Sequence, residues 1–146
     1  MKRKTKLLNS VAILFVVGIV SIVSVNAANN GDTGYTYNFS ALDQYKTDFR
    51  LKEDKSSVYM YCQSASSAYR ARVYGGNANG HAIDCSNGYQ YRFVAGTKRF
   101  MYNYVKEWGY SRAAVFATIG NGVANGVWSP DSIPQSGVLP PSDYIK

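Results

Sequence analysis

The sequence predicts a mainly β fold: an antiparallel β-sandwich of about seven short strands with one short helical turn. Three observations carry that expectation. Tyr, Val and Phe recur at every second position in short runs, the pattern of strands with one buried face. The runs are broken by dipeptides that tolerate positive φ, at Gly75-Gly76, Asn79-Gly80, Asn87-Gly88, Asn121-Gly122 and Asn125-Gly126. One segment alone changes to helical spacing, with Met101, Tyr104, Val105 and Trp108 at i, i+3, i+4 and i+7.

The first element is not part of that fold. Residues 1–27 read as a secretory signal peptide. Lys2, Arg3, Lys4 and Lys6 give a cationic start, Val11 to Val20 an apolar run, and Val25-Asn26-Ala27 a small-residue cleavage site between Ala27 and Ala28. The rival is an uncleaved anchor, since Leu7 to Val25 is just long enough to cross a bilayer. Asn9, Ser10, Ser21 and Ser24 interrupt that span, and a polar stretch follows it, which favours cleavage. The chain is therefore expected outside the cell, in the medium or at the surface, touching membrane only through its leader.

Removing the leader changes the charge. The whole chain has 16 Lys+Arg against 9 Asp+Glu, a net +7. Taking away the four basic leader residues leaves 12 against 9, a net +3. That mild excess gives no basis for a nucleic-acid partner, which calls for clustered Lys and Arg.

Residues 28–34 are polar and Gly-rich, and are expected to form a flexible N-terminus. The sandwich domain is assigned to residues 35–132. Its strands are read at 35–40, 58–63, 69–74, 83–85, 89–93, 113–119 and 123–128. Between the fifth and sixth lies the helical stripe, with Gly109 where a C-terminal cap belongs. The same stretch can be read as a strand through Phe100, Tyr102 and Tyr104. Residues 133–146, with Pro140-Pro141, are expected as an extended tail or an irregular cover.

Composition leaves little room for catalysis or metals. Two Cys and one His cannot fill a four-ligand zinc site. Gly, at 13 residues, is far from collagen's one-third, and the 14% aromatic content is unlike a disordered chain. Cys62 and Cys85 both fall on the inward face of their strands. In an oxidising compartment they are expected to form a disulfide, closing a loop of about 24 residues for roughly 3 kcal/mol. Two free buried thiols are the alternative. His81 lies in a Gly/Asn-rich loop with no nucleophile elbow to pair with. The carboxylates show no spacing that marks a glycosidase pair, and Lys52-Glu53-Asp54-Lys55 reads as a solvated turn. No cofactor is called for.

Two features point to binding. Alternation aims Tyr59, Tyr61, Arg70, Arg72 and Tyr74 away from the Cys-bearing face. If their strands pair, they share one surface suited to sugars, anionic wall polymers or a protein. A second sheet covering the tyrosines is the other reading. Trp128 opens the string Trp128-Ser129-Pro130-Asp131-Ser132, either an anchored turn or a loop presenting Trp to a partner.

The stretch from Lys52 to Ser132 resembles a group of small exported Gram-positive proteins of uncharacterised function. The resemblance rests on Lys55-Ser56-Ser57-Val58-Tyr59-Met60, on the run from Asn103 to Tyr110, and on Gly126-Val127-Trp128-Ser129-Pro130-Asp131-Ser132. It brings no catalytic residue. In leader, size and β-rich pattern the chain is also similar, by architecture alone, to bacteriocins of the lactococcin 972 type. The expectation is a secreted, non-enzymatic protein that binds an envelope component or another protein and is bacteriocin-like in its sharper form. A small secreted hydrolase is the alternative.

Overall fold

The computed structural model describes residues 29–41, 45–118 and 120–146. The leader and its cleavage between Ala27 and Ala28 lie outside the described residues.

Among the described residues the chain is mainly β, with nine strands. These are β1 (Thr33–Asn38), β2 (Arg50–Leu51), β3 (Val58–Ala65), β4 (Tyr69–Gly76), β5 (Ala82–Asp84), β6 (Tyr91–Phe93), β7 (Lys98–Met101), β8 (Arg112–Thr118) and β9 (Val123–Ser129). They build two antiparallel sheets, neither closed. One has the order β1-β9-β3-β7. The other has the order β2-β8-β4-β5, with β6 also paired to β4.

Alternation places the inner faces. On β3, Val58, Met60 and Cys62 are buried; on β4, Tyr69, Ala71 and Val73; on β8, Ala113, Val115 and Ala117. These residues join Tyr35, Tyr37, Tyr91, Phe93, Met101, Ala124 and Trp128 in one core cluster drawn from both sheets. A ring contact crosses between them, where Tyr37 of β1 meets Tyr69 of β4 edge-on at 5.7 Å, and within the five-stranded sheet Tyr69 stacks on its partner Phe93 at 5.3 Å. Burial of each such side chain contributes about 1.5–3 kcal/mol.

One strand, β2, was not expected, and β7 meets the alternative strand reading only at Phe100. β2 is only two residues long and shows no alternation. β7 hides its period because its inward residues are Arg99 and Met101, while Phe100 lies on the outer side opposite Tyr59. The expected helical turn is absent: no helix occurs among the described residues. Residues 105–109 instead form a hydrogen-bonded turn. Trp108 N–H donates to Tyr104 O at 2.9 Å, Gly109 to Lys106 at 3.1 Å, and Tyr110 to Val105 at 2.9 Å. Gly109 takes φ +83°, so the backbone reverses after a single cycle. The stripe reflects burial of Met101 and Val105 on either side of Asn103, not a helix face.

Asn125-Gly126 is no turn either. It lies within β9, opposite the β-bulge of β3 between Cys62 and Ser64. A Cβ at Gly126 would collide with the Tyr61 carbonyl oxygen, so the close approach of β3 and β9 requires glycine.

Residues 139–145 run along the strand edges of both sheets. Leu139 pairs with Arg99 of β7, and Ile145 pairs with Gln90 just before β6. Tyr91 donates its hydroxyl to Pro141 O at 2.9 Å.

Candidate functional site

The residues proposed to share one binding face are divided between the two sheets. β3 and β4 do not pair. Tyr59 and Tyr61 therefore sit on the outer face of the four-stranded sheet, where Phe100 covers Tyr59 and leaves it 7% exposed. Lys98 places its ammonium 4.8 Å from the Tyr61 ring. Trp128 leaves the candidate surface altogether. It faces inward and is 1% exposed, with the Arg50 guanidinium 5.5 Å from its ring. Its string is the anchored turn.

Arg70, Arg72 and Tyr74 alternate with buried residues on β4 and line the outer face of the five-stranded sheet. β8 contributes Phe116 there, directly opposite Arg72. The rings of Tyr74 and Phe116 stack at 4.0 Å with 13° between planes. Lys46 bridges to Phe116 along the sheet edge and holds its ammonium 6.0 Å from that ring. Tyr45, Arg72, Tyr74, Phe116 and Thr118 surround a hollow of about 370 Å³. Arg72 pairs with Asp84 at 3.0 Å, both side chains about one-third exposed. This is an aromatic floor with cationic walls, which sequence reasoning found only by half because Phe116 and Lys46 come from β8 and the segment beside it.

Cys62 and Cys85 are both buried, as their strand positions required, but they are not bonded to each other. The expected disulfide is therefore corrected to two free thiols with different neighbours. Cys62 lies in the four-stranded sheet beside the paired hydroxyls of Tyr35 and Tyr69, and its thiol faces Ser64 O. Cys85 follows β5 in the other sheet, against Gly75 and Tyr110; its sulfur occupies the space that a Cβ on Gly75 would need. Burial raises both thiols, Cys85 to about 11, so neither is an activated nucleophile. His81 is exposed in the β4–β5 connection. Among the described residues no three of His, Cys, Asp and Glu converge as metal ligands.

The charged run Lys52-Glu53-Asp54-Lys55 is not simply a solvated turn. Lys52 is fully buried. Its ammonium donates to Ser56 O and Pro130 O at 2.7 Å and to Asp131 Oδ1 at 3.0 Å. Asp131, also fully buried, accepts backbone N–H bonds from Asn29 and Glu53 at 2.9 Å and from Asp54 at 3.4 Å. Burial alone would push this carboxyl up. The Glu53 N–H, the Lys52 charge and the Asn29 N–H outweigh it and hold the group below its usual value. Burial lowers Lys52, opposed by Asp131. Every donor of the ammonium is used, so the pair is a clasp joining three chain segments. Nothing in the sequence distinguishes Lys52 from Lys55, its exposed neighbour.

No curated protein and no solved structure matches the chain. A family model does, over residues 23–132, and its description is a protein of unknown function (DUF2712). With most of its length covered, the chain belongs to that family.

Proposed function

We propose that this is an exported, non-enzymatic binding protein of a Gram-positive cell envelope, in which the two sheets serve as a sandwich scaffold. Its binding face is the outer side of the five-stranded sheet, and its ligand is an anionic, sugar-bearing envelope polymer. The observation that carries this reading is the Tyr74–Phe116 stack bordered by Lys46 and Arg72. A stacked aromatic pair offers a flat apolar surface to a sugar ring, while guanidinium and ammonium groups beside it meet carboxylate or phosphate oxygens. The Arg72–Asp84 pair is not buried, so its exchange for a ligand oxyanion costs little desolvation.

The test is co-sedimentation of the purified mature protein with isolated envelope polymer. Arg72→Gln and Tyr74→Ala should lose retention while keeping the wild-type circular dichroism spectrum. Retention unchanged in both folded variants would overturn the reading.

A further inference from the structure

The C-terminal segment bridges the two sheets beside an inward-facing arginine, a feature independent of the platform described above. β7 turns Arg99 inward, opposite Met60, and leaves it 6% exposed. The guanidinium lies between the Tyr91 and Phe93 rings, 5.7 Å from each centroid. One of its terminal nitrogens, Nη1, is bound to Asp143, through the main-chain oxygen and through Oδ2 at 3.0 Å. Its Nε is buried and has no hydrogen-bond partner. A buried guanidinium with one donor unmet is a costly arrangement, and an oxyanion relieves it.

The surroundings fit such a group. Arg99 lines a cavity of about 390 Å³ together with Arg92 and Thr97. Val94, Leu139 and Ile145 supply its apolar walls, and Asp143 is at its margin with its side chain 59% exposed. Arg92 stands directly across from Arg70 on β4, a like-charge pair that destabilises the sheet when nothing neutralises it. Among the described residues neither arginine forms an ion pair. A smaller hollow of about 200 Å³ between Arg70 and Arg92 adjoins the first through Arg92.

We infer that the Arg92–Arg99 cavity binds a phosphate monoester with a small apolar substituent, and that the Asp143 carboxylate on the adjacent Nη1 competes with it for the Arg99 charge. One fact favours phosphate over carboxylate. Either group sets two oxygens side by side on the Nε–Nη edge of a guanidinium. The Arg92 guanidinium and the Thr97 hydroxyl then require further acceptors, which a phosphate has and a carboxylate lacks. The apolar walls receive the ester group. Two anions on one guanidinium repel, so the Asp143 carboxylate opposes ligand binding and the C-terminal segment acts as a competing arm.

The test is calorimetric titration of the full mature protein with phenyl phosphate, with phenol as the neutral control. Wild type should bind phenyl phosphate and ignore phenol. Arg92→Gln, at an exposed position, should weaken binding roughly tenfold, the loss of one charged hydrogen-bond partner. Asp143→Asn should tighten it by about the same factor through removal of the competing carboxylate. No binding by wild type, equal affinity in folded Arg92→Gln, or weaker or unchanged affinity in folded Asp143→Asn would each overturn the inference.

Discussion

Lys52 Nζ and Asp131 Oδ1 are 3.0 Å apart with both side chains wholly shielded from water. The contact spans 79 residues of sequence and gathers the N-terminal Asn29, the 52–56 loop and the turn after β9. A buried pair of this kind costs desolvation, but removing one partner strands the other charge. Asp131→Asn should therefore lower unfolding stability by about 3–5 kcal/mol, read from urea denaturation. A loss below about 1 kcal/mol, the range of an exposed pair, would contradict the clasp.

The same carboxylate sets an acid limit. Its folded-state value lies below its usual 3.8, so the unfolded chain takes up the proton first. The stability it contributes is present above pH 3.8 and is lost as pH falls through the folded value. In Asp131→Asn that part of the acid slope should be missing from the pH dependence of the denaturation midpoint.

Alkaline pH acts through the core tyrosines. Burial raises Tyr35, Tyr37, Tyr69 and Tyr91 far above their usual 10.0. For a raised group, stability is present below the unfolded value and lost as pH climbs past it toward the folded one. Tyrosinate absorbance should rise in two phases, exposed rings first. The second phase should coincide with loss of the β-sheet circular dichroism. A single phase with the fold intact would show that these rings are accessible.

Gly126→Ala tests the strand packing. Its new methyl would meet the Tyr61 carbonyl oxygen, which belongs to backbone and cannot swing aside. Parting β3 from β9 breaks the centre of the four-stranded sheet. The expected loss is about 3 kcal/mol or more, at the upper end for overpacking, measured by thermal or urea unfolding. Gly88→Ala, with open space around it but φ +81°, should cost less, about 1 kcal/mol.

The alternation of Tyr, Val and Ala made most of the sheet readable, because those residues do face the core on β1, β3, β4 and β8. It failed where a charged side chain was the buried one. Arg99 broke the period of β7, and Lys52 was hidden among surface-like neighbours. In both cases the partner that makes burial tolerable, Asp143 or Asp131, is more than 40 residues away, and local pattern carries no record of it. The proposed binding face was legible by half. Arg70, Arg72 and Tyr74 were placed on one side of β4 by alternation, but pairing decided that β8 and not β3 lies beside them.

Free thiols give a direct check on the core. Cys62 and Cys85 are buried, unbonded and raised in pKa. Intact mass should be the same with and without reductant, and a thiol reagent should label both only after denaturation. A gain of two hydrogens on reduction would establish a bridge instead.

Binding on the outer face of the five-stranded sheet, as proposed, is open to amide shift mapping during titration with the anionic envelope polymer. Perturbations should concentrate at Arg72, Tyr74 and Phe116 and at Lys46 beside them. Shifts centred on Tyr59 and Tyr61 of the opposite sheet, or none at saturating polymer, would contradict it.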